Sequence, residues 1–250
     1  MTRMAGKVAF VTGAGGGIGR AICERFLAEG ALVAATDIVA EGAVAAISNI
    51  DDKARAIGFE CDVGDSESVR SAIARTVATF GRLDVLCNVA GGSTSRDDAV
   101  TEAPEDEFWR AIRLDLFGTF LTCKHGLPEL IKAGGGSVIN MASMVALMAV
   151  PRKDCYTAAK GGVISLSRSM AAHYAQYSIR VNAIAPGIVM TPRVEKFVET
   201  NEYLKGILGK HLLGPAMPVD IAQMAVYLGS DESRVVTGQV FPVDSGVTIT

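Results

Sequence analysis

The sequence predicts an α/β fold: a Rossmann-type doubly wound parallel sheet of about seven strands flanked by helices, in a single domain. Three observations predict it. Short, continuous apolar runs alternate with longer stretches of helical periodicity, the pattern of a parallel sheet covered on both faces. A glycine-dense stretch sits between the first apolar run and the first helical one. An aspartate ends the second apolar run. The chain has 250 residues, with 24 Lys+Arg against 27 Asp+Glu, a net charge of −3, 49% apolar and 20% charged residues. That balance excludes disorder, which needs low hydrophobicity and high net charge. It gives no electrostatic footprint for nucleic acid or an anionic membrane. At this length folding buries about 70–75% of the unfolded chain's surface, so the core needs no staples.

The elements follow in order. Residues 7–12 read as the first strand. Residues 17–29 read as a helix whose Ile18, Ile22, Phe26 and Leu27 share a face. Residues 31–36 form a second buried run, ending in Asp37. Further strands are expected at 56–61, 83–88, 137–141, 180–185 and 239–243. Helices are expected at 66–80, 105–131, 155–174 and 219–228. Crossovers in such a sheet are right-handed. Residues 191–218 interrupt the alternation and are expected to form an insertion over the C-terminal edge of the sheet, within one domain spanning 1–250. No linker, repeat or low-complexity tract divides the chain.

Cys23, Cys61, Cys87, Cys123 and Cys155 are odd in number, widely spaced and lack a Cys-x-x-Cys pair. A disulfide framework or zinc site is not expected, and a reducing compartment fits. His125, His173 and His211 are scattered without ligand spacing, so no metal is expected. Residues 1–7 are polar and show no signal peptide. The longest apolar stretch, around 141–150, is interrupted by Ser143 and falls well short of the roughly 20 residues of a membrane span. The expectation is a soluble, cytoplasmic protein.

Thr12-Gly13-Ala14-Gly15-Gly16-Gly17-Ile18-Gly19 joins the first strand to the first helix. Glycines there permit positive φ and close backbone approach to a ligand. A helix N-terminus offers N–H groups and partial positive charge to a pyrophosphate. Asp37, roughly 20 residues on, stands where a carboxylate accepts hydrogen bonds from an adenosine ribose. It would repel a 2′-phosphate, and no Arg or Lys stands at Ala14–Gly16 or at Ile38 and Val39 to bind one. NAD is therefore favoured over NADP. The bland reading is a tight turn with a helix cap.

Tyr156-Thr157-Ala158-Ala159-Lys160 places a phenol and an ammonium at i,i+4 on one helix face. A free phenol is a poor base at neutral pH, and a neighbouring cation is expected to lower its pKa. A hydroxyl at Ser143 can hold a substrate oxygen against the phenol. Alone, such a pair is often only a helix face.

Taken together, these motifs resemble the classical short-chain dehydrogenase/reductase family over nearly the whole chain. Thr12-Gly13-x-x-x-Gly17-Ile18-Gly19, with Gly16, resembles its cofactor loop, and Asp62-Val63 its adenine-contacting pair. Asn88-Val89-Ala90-Gly91 is similar to its Asn-Asn-Ala-Gly stretch, with Val89 a mild departure. Asn140-Met141-Ala142-Ser143 resembles the strand end bearing the catalytic Ser. Pro186-Gly187-Ile188-Val189-Met190-Thr191 resembles the segment that meets the nicotinamide carboxamide.

The resemblance implies that Tyr156 exchanges a proton with the substrate oxygen while Ser143 orients that oxygen. It implies that Lys160 lowers the phenol pKa and binds the nicotinamide ribose. The cofactor set so implied is Gly13, Gly16, Gly17, Ile18, Gly19, Asp37, Asp62, Val63, Asn88, Ala90, Tyr156, Lys160, Pro186, Ile188 and Thr191. The helices expected over 105–131 and 155–174 are apolar on more than one face, which suggests burial against another subunit, and the resemblance further implies a homotetramer with residues 240–250 at a second interface. Asp115 stands where the family usually has Asn, in the fourth catalytic position. A buried carboxylate there either pairs with Lys160 and shifts the coupled titration or is a tolerated swap in a wet cavity.

The expected substrate pocket is walled by 92–98, 144–154 and 191–213. Val145, Leu147, Met148 and Val150 point to a mainly apolar secondary alcohol or ketone. Arg152 and Lys153 either meet an anionic group or are solvated. Cys155 is either oxidation-sensitive or a small buried hydrophobe. The leading reading is an NAD-dependent alcohol dehydrogenase or ketoreductase. A 3-oxoacyl carrier-protein reductase remains open, as does a non-catalytic dinucleotide-binding redox sensor. An S-adenosylmethionine methyltransferase shares the glycine loop but does not need the Tyr/Lys pair.

Overall fold

The computed structural model describes residues 2–49, 52–200 and 202–250. Seven strands, β1 (Val8–Thr12), β2 (Leu32–Asp37), β3 (Ala56–Glu60), β4 (Val85–Asn88), β5 (Gly136–Met141), β6 (Ile179–Pro186) and β7 (Val240–Val243), form one sheet in the order β3-β2-β1-β4-β5-β6-β7. Every pairing is parallel, with Phe10 opposite Ala34 on one side and Leu86 on the other. The order reverses between β1 and β4, and a crevice opens there at the strand ends.

Side chains alternate along β1. Ala9 and Val11 pack with Ile22, Phe26 and Val226, beneath α1 (Gly17–Ala28) and, later in the chain, α9 (Pro218–Gly229). Val8 and Phe10 pack on the opposite face with Val69, Leu121 and Leu130, beneath α3 (Ser66–Phe80) and α5 (Gly118–Lys132). The period-2 alternation of a strand thus supplies two cores from one apolar run. The ends of α3 are set locally. Asp65 Oδ1 accepts the Ser68 N–H at 2.7 Å, and Gly81 closes the helix at φ +82°, the usual N-cap and left-handed C-cap chemistry.

Three departures from the sequence reading matter. A short helix α2 (Ala40–Ala45) follows β2; its run of small residues carries little periodic signal. The long helix expected over 105–131 is instead α4 (Glu105–Ala111), a π-helical turn Ile112–Phe117, and α5. An extra residue per turn rotates the apolar stripe, which a fixed 3.6-residue period does not anticipate. Residues 191–218 contain α7 (Pro192–Thr200) and α8 (Glu202–Leu208); Asn201, inside that stretch, lies outside the described residues. Between β5 and β6 runs α6 (Asp154–Tyr174). No described helix is long and apolar enough to cross a membrane.

Arg3, ahead of β1, is tied to the end of α1 through Glu29, which takes Arg3 Nη2 at 2.6 Å and Arg25 Nη2 at 2.7 Å. These bonds, the one from Arg3 first among them, pull the Glu29 carboxyl down to about 2. A carboxylate depressed on folding stabilises the fold above its unfolded pKa and stops doing so as pH falls through its folded one. Glu29→Gln is therefore expected to lower the melting temperature at neutral pH and to flatten its fall below the ordinary glutamate range. Thermal melts across that range check it.

Candidate active site

The turn after β1 is a cradle from which side chains are excluded. Gly13 sits at φ +66°. A Cβ on Gly19 would lie 2.1 Å from the Gly13 carbonyl oxygen, and one on Gly17 would lie 2.7 Å from Thr191 Cγ2. The N-cap of α1 is Gly16, with no side-chain cap and no acidic residue in the first turn. The first-turn N–H groups, including that of Ile18, are thereby left for an anion. Asp37 at the end of β2 accepts the Gly15 N–H on Oδ2 at 2.9 Å and the Val39 N–H on Oδ1 at 3.3 Å. Its carboxylate is held beside the loop. A backbone cradle at a helix start with a carboxylate across it fits the phosphates and ribose of a dinucleotide.

The neighbouring strand ends close around this turn. Thr12 Oγ1 accepts the N–H groups of Val89 and Ala90 at 3.0 and 3.1 Å. Asn88 behaves otherwise than expected: its side chain turns inward. Nδ2 donates to Asn140 Oδ1 at 2.8 Å, and Asn140 Nδ2 donates to Ser167 Oγ at 2.8 Å. This residue therefore locks β4, β5 and α6 together in the core. Asp62 Oδ1 accepts the Gly64 N–H at 2.8 Å, with Arg113 Nη2 3.6 Å from its other oxygen. Buried Val63 packs against Gly118, where a Cβ would meet Val63 Cγ2 at 2.7 Å.

Ser143, Tyr156, Lys160 and Asp115 meet at the C-terminal end of β5. Ser143 starts a 3₁₀ turn, its Oγ accepting the Val145 N–H at 3.4 Å. Lys160 is 2% exposed and Asp115 0%. Lys160 Nζ donates to Met141 O at 2.8 Å and to Asp115 Oδ1 at 3.0 Å, which leaves one of its three N–H donors for a ligand. Asp115 Oδ1 also accepts the Gly92 N–H at 2.8 Å, while its buried Oδ2 has no hydrogen-bond partner among the described residues. Of the two readings for position 115, the structure shows direct pairing. Lys160 Nζ lies 5.5 Å from the centroid of the Tyr156 ring.

The phenol pKa differs from the sequence expectation in sign. Burial raises the Tyr156 phenol and outweighs the Lys160 charge that lowers it; Asp115 adds to the rise, and the nearby Ser143 hydroxyl opposes it. The neighbouring cation is outweighed by desolvation of the phenolate together with the charge of Asp115. Burial lowers the Lys160 ammonium, but Asp115 and Tyr156 together hold it above the ordinary value.

The segment after β6 completes the crevice. Pro186 ends the strand, and Thr191, over Gly17, is buried. The Ile188 N–H donates to His211 Nε2 at 3.0 Å, and His211 Nδ1 lies 3.0 Å from Ile207 O. Since Nε2 accepts, Nδ1 carries the proton. His211 thus moors the 186–191 strand end to α8, a role its isolated place in the sequence did not suggest. Glu107, Arg110 and Arg193 bond to Thr94, Gly92 and Ser93 in the segment after β4, and Asp97 in that segment accepts N–H groups at the start of α6; no sequence motif marks these four. Cys155 is buried, and burial, with Asp97 nearby, pushes its thiol up, so the hydrophobe reading holds over the reactive one.

A family described as enoyl-(acyl carrier protein) reductase matches residues 13–248. The chain belongs to the classical short-chain dehydrogenase/reductase family. D-threitol dehydrogenase of Mycolicibacterium smegmatis is 37% identical, the match covering 99% of this chain and 95% of the relative. The 3-oxoacyl-(acyl-carrier-protein) reductase FabG of Thermotoga maritima is 35% identical over 99% of this chain and all of its own. A solved structure titled as a putative short-chain dehydrogenase/reductase from Burkholderia xenovorans superposes with a TM-score of 0.94 at 34% identity, covering 100% of this chain and 99% of that one. The chain is thus an oxidoreductase of a family that uses NAD or NADP. Gly19→Ala is expected to displace the loop by its clash with Gly13 O and to abolish dinucleotide binding. Loss of the quenching or enhancement of dinucleotide fluorescence on titration checks it, with Gly206→Ala on α8, which meets nothing within 4 Å and has no positive φ, as a control for the added methyl away from the loop.

Proposed function

We propose that this protein interconverts a secondary alcohol and a ketone with NAD(H), Tyr156 acting as the acid/base. One observation carries the reading: the phenol, the Ser143 hydroxyl and the Lys160–Asp115 pair converge where the glycine cradle opens. Asp37 supports NAD, because its carboxylate already lies against the cradle and no cation stands at the neighbouring positions to take a 2′-phosphate. Gly13, Gly16, Gly17, Ile18 and Gly19 would hold the pyrophosphate, and Asp62, Val63 and Ala90 would line the adenosine side. Lys160 would use its remaining donor on the nicotinamide ribose, while Pro186, Ile188 and Thr191 would face the carboxamide. When bound, the dinucleotide supplies the two-electron chemistry.

In alcohol oxidation the Tyr156 oxygen takes the hydroxyl proton while Ser143 holds the same oxygen in line. In ketone reduction the neutral phenol returns it. Tyr156 packs against a buried apolar cluster that includes Met144, Val145 and Ile188, as do Met148, Met190 and Val194, which supports a mainly apolar substrate held by the 191–218 insertion. The FabG-like relative keeps a 3-oxoacyl thioester as the second reading. Five buried free cysteines accord with a cytoplasmic enzyme. Exposed Trp109, Phe117 and Phe120 on and beside α4 and α5 support burial against further copies in a homotetramer.

A panel of secondary alcohols with NAD and with NADP, read as reduced dinucleotide at 340 nm (a wavelength set by the coenzyme), tests the proposal. Turnover with NAD on free alcohols is expected; preference for NADPH and acyl thioesters would transfer the assignment to the second reading. Tyr156→Phe is expected to lower kcat by about 10²–10⁴-fold with the melting temperature unchanged. Wild-type turnover in that variant would reject the role. Asp115→Asn removes a charge that raises the Tyr156 phenol yet keeps an acceptor for Lys160 and Gly92. Alcohol oxidation needs the ionised phenol, so the rising limb of its pH–rate profile is expected to move to lower pH. A limb that stays in place would remove Asp115 from the titration.

A further inference from the structure

The helix that carries Tyr156 has no cap of its own. Lys153 occupies the N-cap position and makes no side-chain cap bond. The cap comes instead from far along the chain. Asp97, 5% exposed, accepts the Cys155 N–H on Oδ1 at 3.1 Å and the Tyr156 N–H on Oδ2 at 3.2 Å. A carboxylate is suited to both donors at once and to the positive end of the helix dipole. Asparagine would offer one oxygen and turn its NH₂ toward an N–H.

The segment bearing Asp97 is itself held from several sides. Gly92 donates to Asp115, and its carbonyl accepts Arg110 Nη2 at 3.1 Å. Thr94 Oγ1 donates to fully buried Glu107 at 2.7 Å, and Lys153 Nζ donates to Thr94 O at 3.0 Å. Arg193, on α7, donates to the carbonyl of Ser93, and Ser93 Oγ lies 3.5 Å from Asp97 Oδ2. A continuous chain of contacts therefore runs from the insertion, through Ser93 and Asp97, to the backbone N–H of Tyr156.

We propose that Asp97 is a positioning residue that anchors Tyr156, and that Arg193 ties the α7 helix to that anchor, so that seating of the insertion and aiming of the phenol are coupled. The proposal rests on the reading of Tyr156 as acid/base. An ångström of misplacement at a reacting group can cost about 10²-fold in rate, so an anchor at the residue's own N–H is a strong lever.

The test compares Asp97→Ala, Asp97→Asn and Arg193→Ala in the full chain. Amide exchange at Cys155 and Tyr156, kcat and KM with an active alcohol, and dinucleotide Kd are measured. Asp97→Ala is expected to speed exchange at both amides by roughly tenfold and to lower kcat by about tenfold or more, with the dinucleotide Kd within about twofold. Asp97→Asn is expected to recover part of kcat, and Arg193→Ala to speed exchange at the same two amides to a smaller extent. Unchanged exchange in Asp97→Ala would overturn the anchor. Faster exchange with wild-type kcat would overturn its link to catalysis, and so would kcat and dinucleotide affinity falling together with nothing recovered by Asn. Exchange at Tyr156 unmoved by Arg193→Ala would overturn the coupling. Should the wild type turn over no alcohol or ketone, the functional reading alone fails, and the exchange data still judge the anchor and the coupling.

Discussion

The buried pair between Lys160 and Asp115 is the constraint on which the site depends. Two charges removed from water cost several kcal/mol each, and losing one partner of such a pair costs about 3–5 kcal/mol. The surroundings must therefore be built for it. The end of β5 contributes the Met141 carbonyl, α6 the lysine, the π-helical turn the aspartate, and the segment after β4 the Gly92 N–H. Gly91, at φ +145°, leaves the room: a Cβ there would lie 2.2 Å from Asp115 Oδ1. Four pieces of chain are fixed by one ammonium and one carboxylate, and the phenol one helical turn from the lysine inherits that fixity.

The same pair sets the electrostatics. An isolated Tyr–Lys neighbourhood favours phenolate, but here the lysine's charge is shared with a carboxylate whose field acts on the phenol in the opposite sense. Desolvation then decides, and the phenol is pushed above its ordinary value. The sign of the phenol's shift is thus a property of the whole cluster and not of the Tyr-x-x-x-Lys motif.

What the sequence made legible and what it hid divide along physical lines. Strands buried on both faces, such as β1, β4 and β5, announce themselves as continuous apolar runs, and all seven strands lie within a residue or two of their expected places. The helix over 66–80 matched because both its ends carry local signals, Asp65 and Gly81. The glycine cradle was legible because close approach admits no other residue. The features that escaped are those in which a distant contact overrides a local rule. The π-helical turn breaks the 3.6-residue period to bring Asp115 inward, and Asn88 turns toward Asn140 and Ser167 across two strands. Capping of α6 by Asp97 spans 58 residues, where a local cap search reaches three or four.

This division also separates the two halves of the site. The nucleotide half is backbone: glycines, a helix end, strand termini, all continuous with the two large cores on either face of the sheet. The proposed substrate half is a satellite cluster in which Met144, Val145, Ile188 and Ile207 pack with Val247, apart from those cores. It is joined to the rest by a few polar moorings, His211 to Ile188 and Arg193 to Ser93 among them. Small independent clusters open more readily than the global core, and side chains there can change without disturbing the sheet. A fold arranged in this way keeps its cofactor chemistry constant while its substrate varies. Relatives about equally similar to this chain can then bear names as different as D-threitol dehydrogenase and 3-oxoacyl-(acyl-carrier-protein) reductase.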